Sequence, residues 1–284
     1  MAPTTPTQIR RATEADRALL DYLLDRALFK HTHPDWQTAL DWLGKQPFYV
    51  SQRGDFLQAA LAAPADPPDT AWLRLAAFRY MDNVDFWLNA LWPLARADLQ
   101  AQGVKLAGVM VLDGWLEDLL PGLGFQKLCE VITLRRMGGA PPAVPEPDGV
   151  TLRRATASDI AAMTVVDNAA FQIPWQYSAA FITQALNWSA YGRVAEADGE
   201  IIGYQLSTGG TMGGHLARLA VLPRWQGRGV GRWLTLDMLR YFDSLRAPSV
   251  TVNTQSDNLT SQRLYIGLGF EFTGERNPVW VDWL

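Results

Sequence analysis

The run Leu219 to Gly231, LAVLPRWQGRGVG, holds the residues whose types and spacing most clearly allow chemistry. Leu219, Ala220, Val221 and Leu222 suit a buried strand, and Pro223 ends it. Gly227, Gly229 and Gly231 then open a helix that continues through Leu234, Leu236 and Leu239. N–H groups at such a helix start converge on an anion, and the helix dipole favours negative charge there. Glycine lets the ligand come close to the main chain. Arg224, Arg228 and Arg232 add positive charge, so the run reads as a diphosphate-binding turn.

Two other glycine-rich turns fit less well. A Walker loop requires Gly-Lys-Ser/Thr, and no lysine follows Lys127. A dinucleotide fingerprint requires Gly-x-Gly-x-x-Gly with an acidic residue about twenty positions later. The pattern here is Gln226-x-x-Gly229-x-Gly231 after Leu-Ala-Val-x-Pro, and it resembles the cofactor motif of the GNAT (Gcn5-related) N-acetyltransferases. A second stretch, Asn258, Ser261, Tyr265, Gly269 and Phe270, is similar to the other signature of that family.

The resemblance implies an acetyl-CoA-dependent N-acetyltransferase. Gln226, Gly227, Arg228, Gly229, Val230, Gly231 and Arg232 would hold the diphosphate. Leu219 and Val221 would offer backbone groups to the pantetheine arm, as an added strand does, with Ala220 between them in the cofactor set. Asn258 and Ser261 would contact the cofactor or simply cap a helix. Tyr265 would protonate the thiolate that leaves when an amine attacks the thioester directly in a ternary complex. His215 lies four residues before Leu219, where some relatives carry a glutamate base, and imidazole titrates in the useful range. Its glycine neighbours, Gly213 and Gly214, suggest a loop. Glu196 and Asp167 are weaker candidates for the base, each read as a solvated surface charge. Trp175 and Tyr177 fall where the family shapes its acceptor pocket, and Pro174-Trp175 is similar to an element of ribosomal-protein N-terminal acetyltransferases.

The elements that must position these residues occur twice. Arg10, Arg11, Ala12, Thr13 and Asp16 recur 143 residues later as Arg153, Arg154, Ala155, Thr156 and Asp159. Arg74, Leu75 and Ala76 recur as Arg218, Leu219 and Ala220, and Gly122 to Phe125 as Gly267 to Phe270. The expected fold class is an α/β mixed sheet in two tandem GNAT-like domains: a degenerate copy over 1–140, a Pro-rich linker over 141–149 and a catalytic copy over 150–284. In the second copy the sequence predicts a strand at 150–154, a helix at 158–170 capped by Ser158, and a helix at 181–188. A hairpin about Asp198-Gly199 follows, then the strand from His215, a strand at 249–253, a helix at 261–268 and a final strand pair over 270–284.

Opposite the glycine turn the first copy carries Asp82, Asn83, Val84, Asp85, Phe86 and Trp87, and opposite Tyr265 it carries Leu120 or Pro121. Carboxylates replace the anion-attracting turn, with Phe86 and Trp87 expected to fill its space. Such a copy would bind no cofactor and would serve as a docked support, while Val50, Leu75 and Phe125 keep their core places. An inert first domain is similar to the layout of mycothiol synthase, although no residue specifies that substrate.

With 48% hydrophobic and 19% charged residues the composition is that of a globular chain. Lys and Arg number 25 against 29 Asp and Glu, for a net charge of −4, and neither half is basic. This argues against a nucleic-acid partner. Cys129 is single, no apolar run approaches membrane-spanning length, and the expected location is cytoplasmic. His31, His33 and His215 lack metal-ligand spacing, so no metal is expected. The expected partners are a small-molecule or peptide amine acceptor, and the chain is expected to be a monomer (pseudo-dimer) or a homodimer. The rival from another class is a non-catalytic acyl-CoA sensor or assembly module.

Overall fold

The computed structural model describes residues 7–80, 84–143 and 145–284, which divide into two compact units. Unit 1 comprises residues 1–128 and 277–284; unit 2 comprises 129–276.

Unit 1 begins with β1 (Thr7–Arg11), α1 (Arg17–Arg26) and β2 (Phe29–Thr32). The hairpin of β3 (Phe48–Arg53) and β4 (Phe56–Ala62) follows, then β5 (Thr70–Trp72), β6 (Leu75–Phe78), α2 (Val84–Ala101) and β7 (Leu106–Met110). One sheet runs in the order β1-β3-β4-β6-β2. β5 pairs in parallel with β7 from Thr70–Leu106 to Trp72–Gly108. Val50, Leu75 and Phe125 are buried, as the repeat implies. β8 (Gln126–Met137) then leads into unit 2.

In unit 2 come β9 (Thr151–Arg154), α3 (Ile160–Ala170), α4 (Ala179–Trp188), β10 (Tyr191–Ala197) and β11 (Glu200–Gly210). β12 (Gly213–Val221), α5 (Val230–Ser244), β13 (Ser249–Gln255), α6 (Leu259–Ile266) and β14 (Glu271–Trp283) complete the chain. The strands run in the order β14-β8-β13-β12-β11-β10-β9. β12 and β13 are parallel; the other pairings across β8 to β12 are antiparallel. Leu234, Met238, Leu239 and Phe242 give α5 a buried apolar stripe at helical spacing, and the last three pack in one cluster with Leu216, Val250, Val252, Tyr265 and Phe270.

The expected hairpin forms about Asp198 and Gly199, both at positive φ (52° and 77°) as a tight two-residue turn requires. Three local expectations need correction. The capping residue is Thr156, at the head of a short 3-10 turn (Ala157–Asp159) that leads into α3, not Ser158: the Asp159 carboxylate accepts from Thr156 N at 2.8 Å and Thr156 Oγ1 at 2.9 Å. Residues 270–284 form one long strand instead of a strand pair, so residues 277–284 pair with β7 in unit 1, from Val279–Met110 to Trp283–Leu106. Residues 129–137, which the repeat assigns to the first copy, are a strand of unit 2, paired with β13. The compact units therefore cut the chain differently from the repeat, because each copy's terminal strand finds its ladder partner in the other copy.

The two halves share the parting of parallel strands. Gly214, His215 and Leu216 pair with Val250, Thr251 and Val252, the register of β5 on β7 displaced by 144 residues. In the first half, Asp82 and Asn83 lie outside the described residues. Of the two aromatics expected to fill the turn, Trp87 is buried and Phe86 is 61% exposed, because α2 turns Phe86 outward beside Asp85.

Candidate active site

β12 pairs with β13 only as far as Leu216, and the rest of the strand up to Val221 diverges from it. A register shift on β11 between Leu206 and Ser207, opposite Arg218 and Leu216, marks a bulge at Ala217. Beyond it, Leu222 N donates to Ile202 O at 2.8 Å, making that pair a hydrogen-bonded one of the β11–β12 ladder. The register Gly203–Val221, Tyr204–Ala220 and Gln205–Leu219 then turns the peptide groups of Leu219 and Val221 away from β11, toward the gap. Ala220 is a correction to the expected set: its peptide groups serve the ladder and its side chain is buried.

At the end of β12 the chain makes a tight turn over Pro223–Trp225 and enters α5 through glycines. Gly229 is the N-cap at φ +86°, and Gly227 has φ +73°, values L side chains rarely adopt; a Cβ at Gly227 would meet open space. The first N–H groups of α5 have no carbonyl one turn back, and Trp233 N is bonded to Gly229 O at 2.9 Å. Gln226 Nε2 donates to Val221 O at 3.0 Å and fastens the turn to the strand. Arg232 reaches Gly267 O at 3.3 Å, and Arg228 lies 5.1 Å from the Trp225 ring. Arg224 is paired on the surface with Glu200 and stands aside from the turn. Val230 and Gly231 begin the helix proper, and a Cβ at Gly231 would stand 3.2 Å from the Leu264 side chain.

Asn258 caps α6, its Oδ1 accepting from Ser261 N at 3.1 Å, so the capping role weighed for this pair is in place. Tyr265 is buried with Phe270, ring centroids 5.7 Å apart. Burial pushes its phenol well above the usual value, and the Arg218 charge pulls it partly back. It is therefore a protonated phenol at neutral pH, the form a proton donor needs.

His215 sits within β12, not in a loop: the glycines before it are ladder residues opposite Gly209 and Gly210. It alternates with Leu216, whose side chain packs in the cluster that holds Tyr265, so the imidazole projects from the other face of the sheet. His215 Nδ1 is 2.9 Å from Thr251 Oγ1. Burial lowers its pKa below 6.5, which keeps the ring neutral and able to accept a proton at neutral pH.

The two alternative bases are corrected by their partners. Glu196 accepts from Arg153 at 2.9 and 2.7 Å. Asp167 is no surface charge: it is fully buried, bound by Arg218 Nε at 2.7 Å and Nη2 at 2.8 Å, by the Tyr204 hydroxyl at 2.6 Å and by Tyr177 N at 2.8 Å. Arg218 also donates to Trp175 O at 2.6 Å. Trp175 and Tyr177 lie in the segment 171–178 between α3 and α4, as expected. Sequence reasoning gives Arg218 only as a landmark of the repeat and does not select Tyr204. The signal for Arg218 was an arginine inside an apolar strand, LARLAV, where a charge requires a buried partner.

The Acetyltransferase (GNAT) family model matches residues 160–270. A mycothiol acetyltransferase of Tsukamurella paurometabola is 32% identical over 199 residues, covering 61% of this chain and 68% of the relative. One from a Nocardioides species is 28% identical over 239 residues, covering 70% and 81%. A solved structure of a tandem GNAT protein from the clavulanic acid biosynthesis pathway matches with a TM-score of 0.64 at 18% identity, over 98% of both chains. A GCN5-related N-acetyltransferase from Sphaerobacter thermophilus matches at 0.63 and 16% identity, over 99% of this chain and 97% of that one. The family model lies within the second half of the repeat and the two solved structures match over both halves; the chain belongs to the GNAT family of acetyltransferases, in a tandem arrangement.

Proposed function

We propose that the second copy transfers the acetyl group of acetyl-CoA directly to the primary amine of a small molecule. The observation that carries this reading is the parting of β12 from β13 beside a glycine turn, with the peptide groups of Leu219 and Val221 facing the gap. The cradle suits the cofactor: two glycines at positive φ, open space where a Cβ would stand at Gly227, and the unpaired start of α5 favour a diphosphate. In this reading Gln226 to Arg232 hold the diphosphate and the edge of β12 holds the pantetheine arm.

Holding thioester and amine together supplies much of the rate. A main-chain N–H near Val221 stabilises the developing oxyanion, neutral His215 takes the proton of the attacking amine, and Tyr265 gives its proton to the departing thiolate. Asn258 and Ser261 hold the cofactor side of α6, while Trp175 and Tyr177 border the acceptor. The repeat boundaries, 1–140 and 150–284 joined by 141–149, belong to the same reading, with the cofactor motif in the second copy alone.

Because two relatives are named mycothiol acetyltransferases, the deacetylated form of mycothiol heads the acceptors to be tried, with glucosamine, cysteine and a tetrapeptide with a free N-terminus. Each is incubated with acetyl-CoA and its product followed by mass. An increase of one acetyl group on an amine, dependent on the protein, is expected; acetyl-CoA binding without transfer to any amine would favour the sensor.

A further inference from the structure

A charge buried in a protein interior is costly unless fully paired, and a cluster of such groups over-determines the position of whatever it holds. Arg218 is such a group. Its guanidinium makes a two-point contact with Asp167 of α3 and bonds the Trp175 carbonyl. It is sandwiched between the Phe171 ring at 3.6 Å and the Tyr177 ring at 3.7 Å. Asp167 in turn accepts from Tyr177 N and the Tyr204 hydroxyl of β11. One buried ion pair thus ties three points of the segment 171–178 (the Phe171 ring, the Trp175 carbonyl and the Tyr177 peptide) to α3, β11 and β12. Arg218 stands next to Leu219, whose peptide faces the gap.

The first copy keeps the arginine but not this clamp. Arg74, in the matching place, pairs with Asp35 and lies 4.3 Å from the Trp42 ring, and Ala60 stands where the second copy has Tyr204. A buried arginine in this strand is therefore common to both copies, while the attachment of Asp167, Tyr204 and the 171–178 segment to it is particular to the copy with the glycine turn.

We propose that the Asp167–Arg218 pair, steadied by Tyr204, is a positioning device that fixes the 171–178 segment against the β12 edge and so sets the shape of the acceptor side before the amine arrives. The proposal rests on the reading of that segment as the acceptor border. Lysine at 218 keeps a charge but lacks the planar fork that bonds Asp167 twice and stacks between two rings. Loss of the Tyr204 hydroxyl removes one bond from the carboxylate and leaves the ion pair.

The test compares Arg218→Lys and Tyr204→Phe with the parent chain in three measurements: hydrogen exchange over 171–178 and over α5, acetyl-CoA affinity by calorimetry, and steady-state kinetics with deacetylated mycothiol or, if that is inert, glucosamine. Exchange in 171–178 is expected to rise at least tenfold while α5 is unchanged. The acceptor KM is expected to rise about tenfold in Arg218→Lys and less in Tyr204→Phe, with acetyl-CoA affinity within twofold of the parent. Unchanged exchange in 171–178 would overturn the clamp. Faster exchange there with an unchanged acceptor KM would overturn the acceptor reading instead. A uniform rise in exchange across unit 2, with acetyl-CoA affinity lost in parallel, would reduce the pair to a folding element; if Arg218→Lys does not fold, Tyr204→Phe decides between these outcomes.

Discussion

At the scale of single residues, protonation states fit the division of labour proposed for Tyr265 and His215. Burial keeps the phenol protonated and the imidazole neutral, so each is in its working form at pH 7. Tyr265→Phe removes a group that acts on the leaving thiolate; turnover should fall about 10²- to 10⁴-fold with acetyl-CoA affinity nearly unchanged. Equal turnover in the two proteins would return Tyr265 to packing. For His215 the sign follows from its lowered pKa: a general base is active when deprotonated, so the rising limb of kcat/KM against pH should lie below pH 6.5. His215→Ala should remove that limb, measured from pH 4.5 to 8; a limb that survives would assign the proton to another acceptor.

At the scale of elements, the turn before α5 and the caps of the first helices carry separate burdens. Gly229→Asp places a side chain and a negative charge at a φ of +86° where the diphosphate is proposed to lie. Acetyl-CoA affinity should fall at least ~100-fold, about 3 kcal/mol, with the helical signal in circular dichroism retained; unchanged affinity in a folded variant would remove the turn from the cofactor site. The caps are ionic. Arg10 binds Asp16 and Arg153 binds Asp159 in two-point contacts, and both carboxyls are held down at about 2 by these hydrogen bonds. A carboxyl whose folded pKa lies below its unfolded value, about 3.9, stabilises the fold above that value and ceases to do so as pH falls through about 2. Asp159→Asn should therefore lose about 1–2 kcal/mol at pH 7, discounted because Arg153 is partly in solvent. Urea unfolding should show that difference shrinking between about pH 4 and pH 2.

At the scale of the whole chain, duplication supplied two copies of one scaffold, and the proposed chemistry belongs to the second. Both keep three pairs of parallel strand contact, but α2 begins with Val84 and Asp85 where α5 begins with a glycine turn. One acetyl-CoA should bind per chain. Calorimetry with the parent and with Gly229→Asp checks this: a stoichiometry of two in the parent, falling to one in the variant, would place a second cofactor in the first copy.

The sequence by itself determined the family, the doubling and the glycine turn, because these depend on local requirements: glycine where φ is positive, an apolar strand ended by proline, and signatures repeated at fixed spacing. It also singled out Tyr265 and placed Trp175 and Tyr177 between two helices. Tertiary structure alone decided what depends on partners distant in sequence. Asp167 reads as a surface charge until Arg218, 51 residues away, closes on it. His215 reads as a strand start that its glycine neighbours could leave in a loop, until β11 and β13 flank it and Thr251 meets its ring. Residues 270–284 read as a strand pair until β7 pairs with their far end. Burial and strand pairing are properties of the assembled sheet, and no window along the chain contains them.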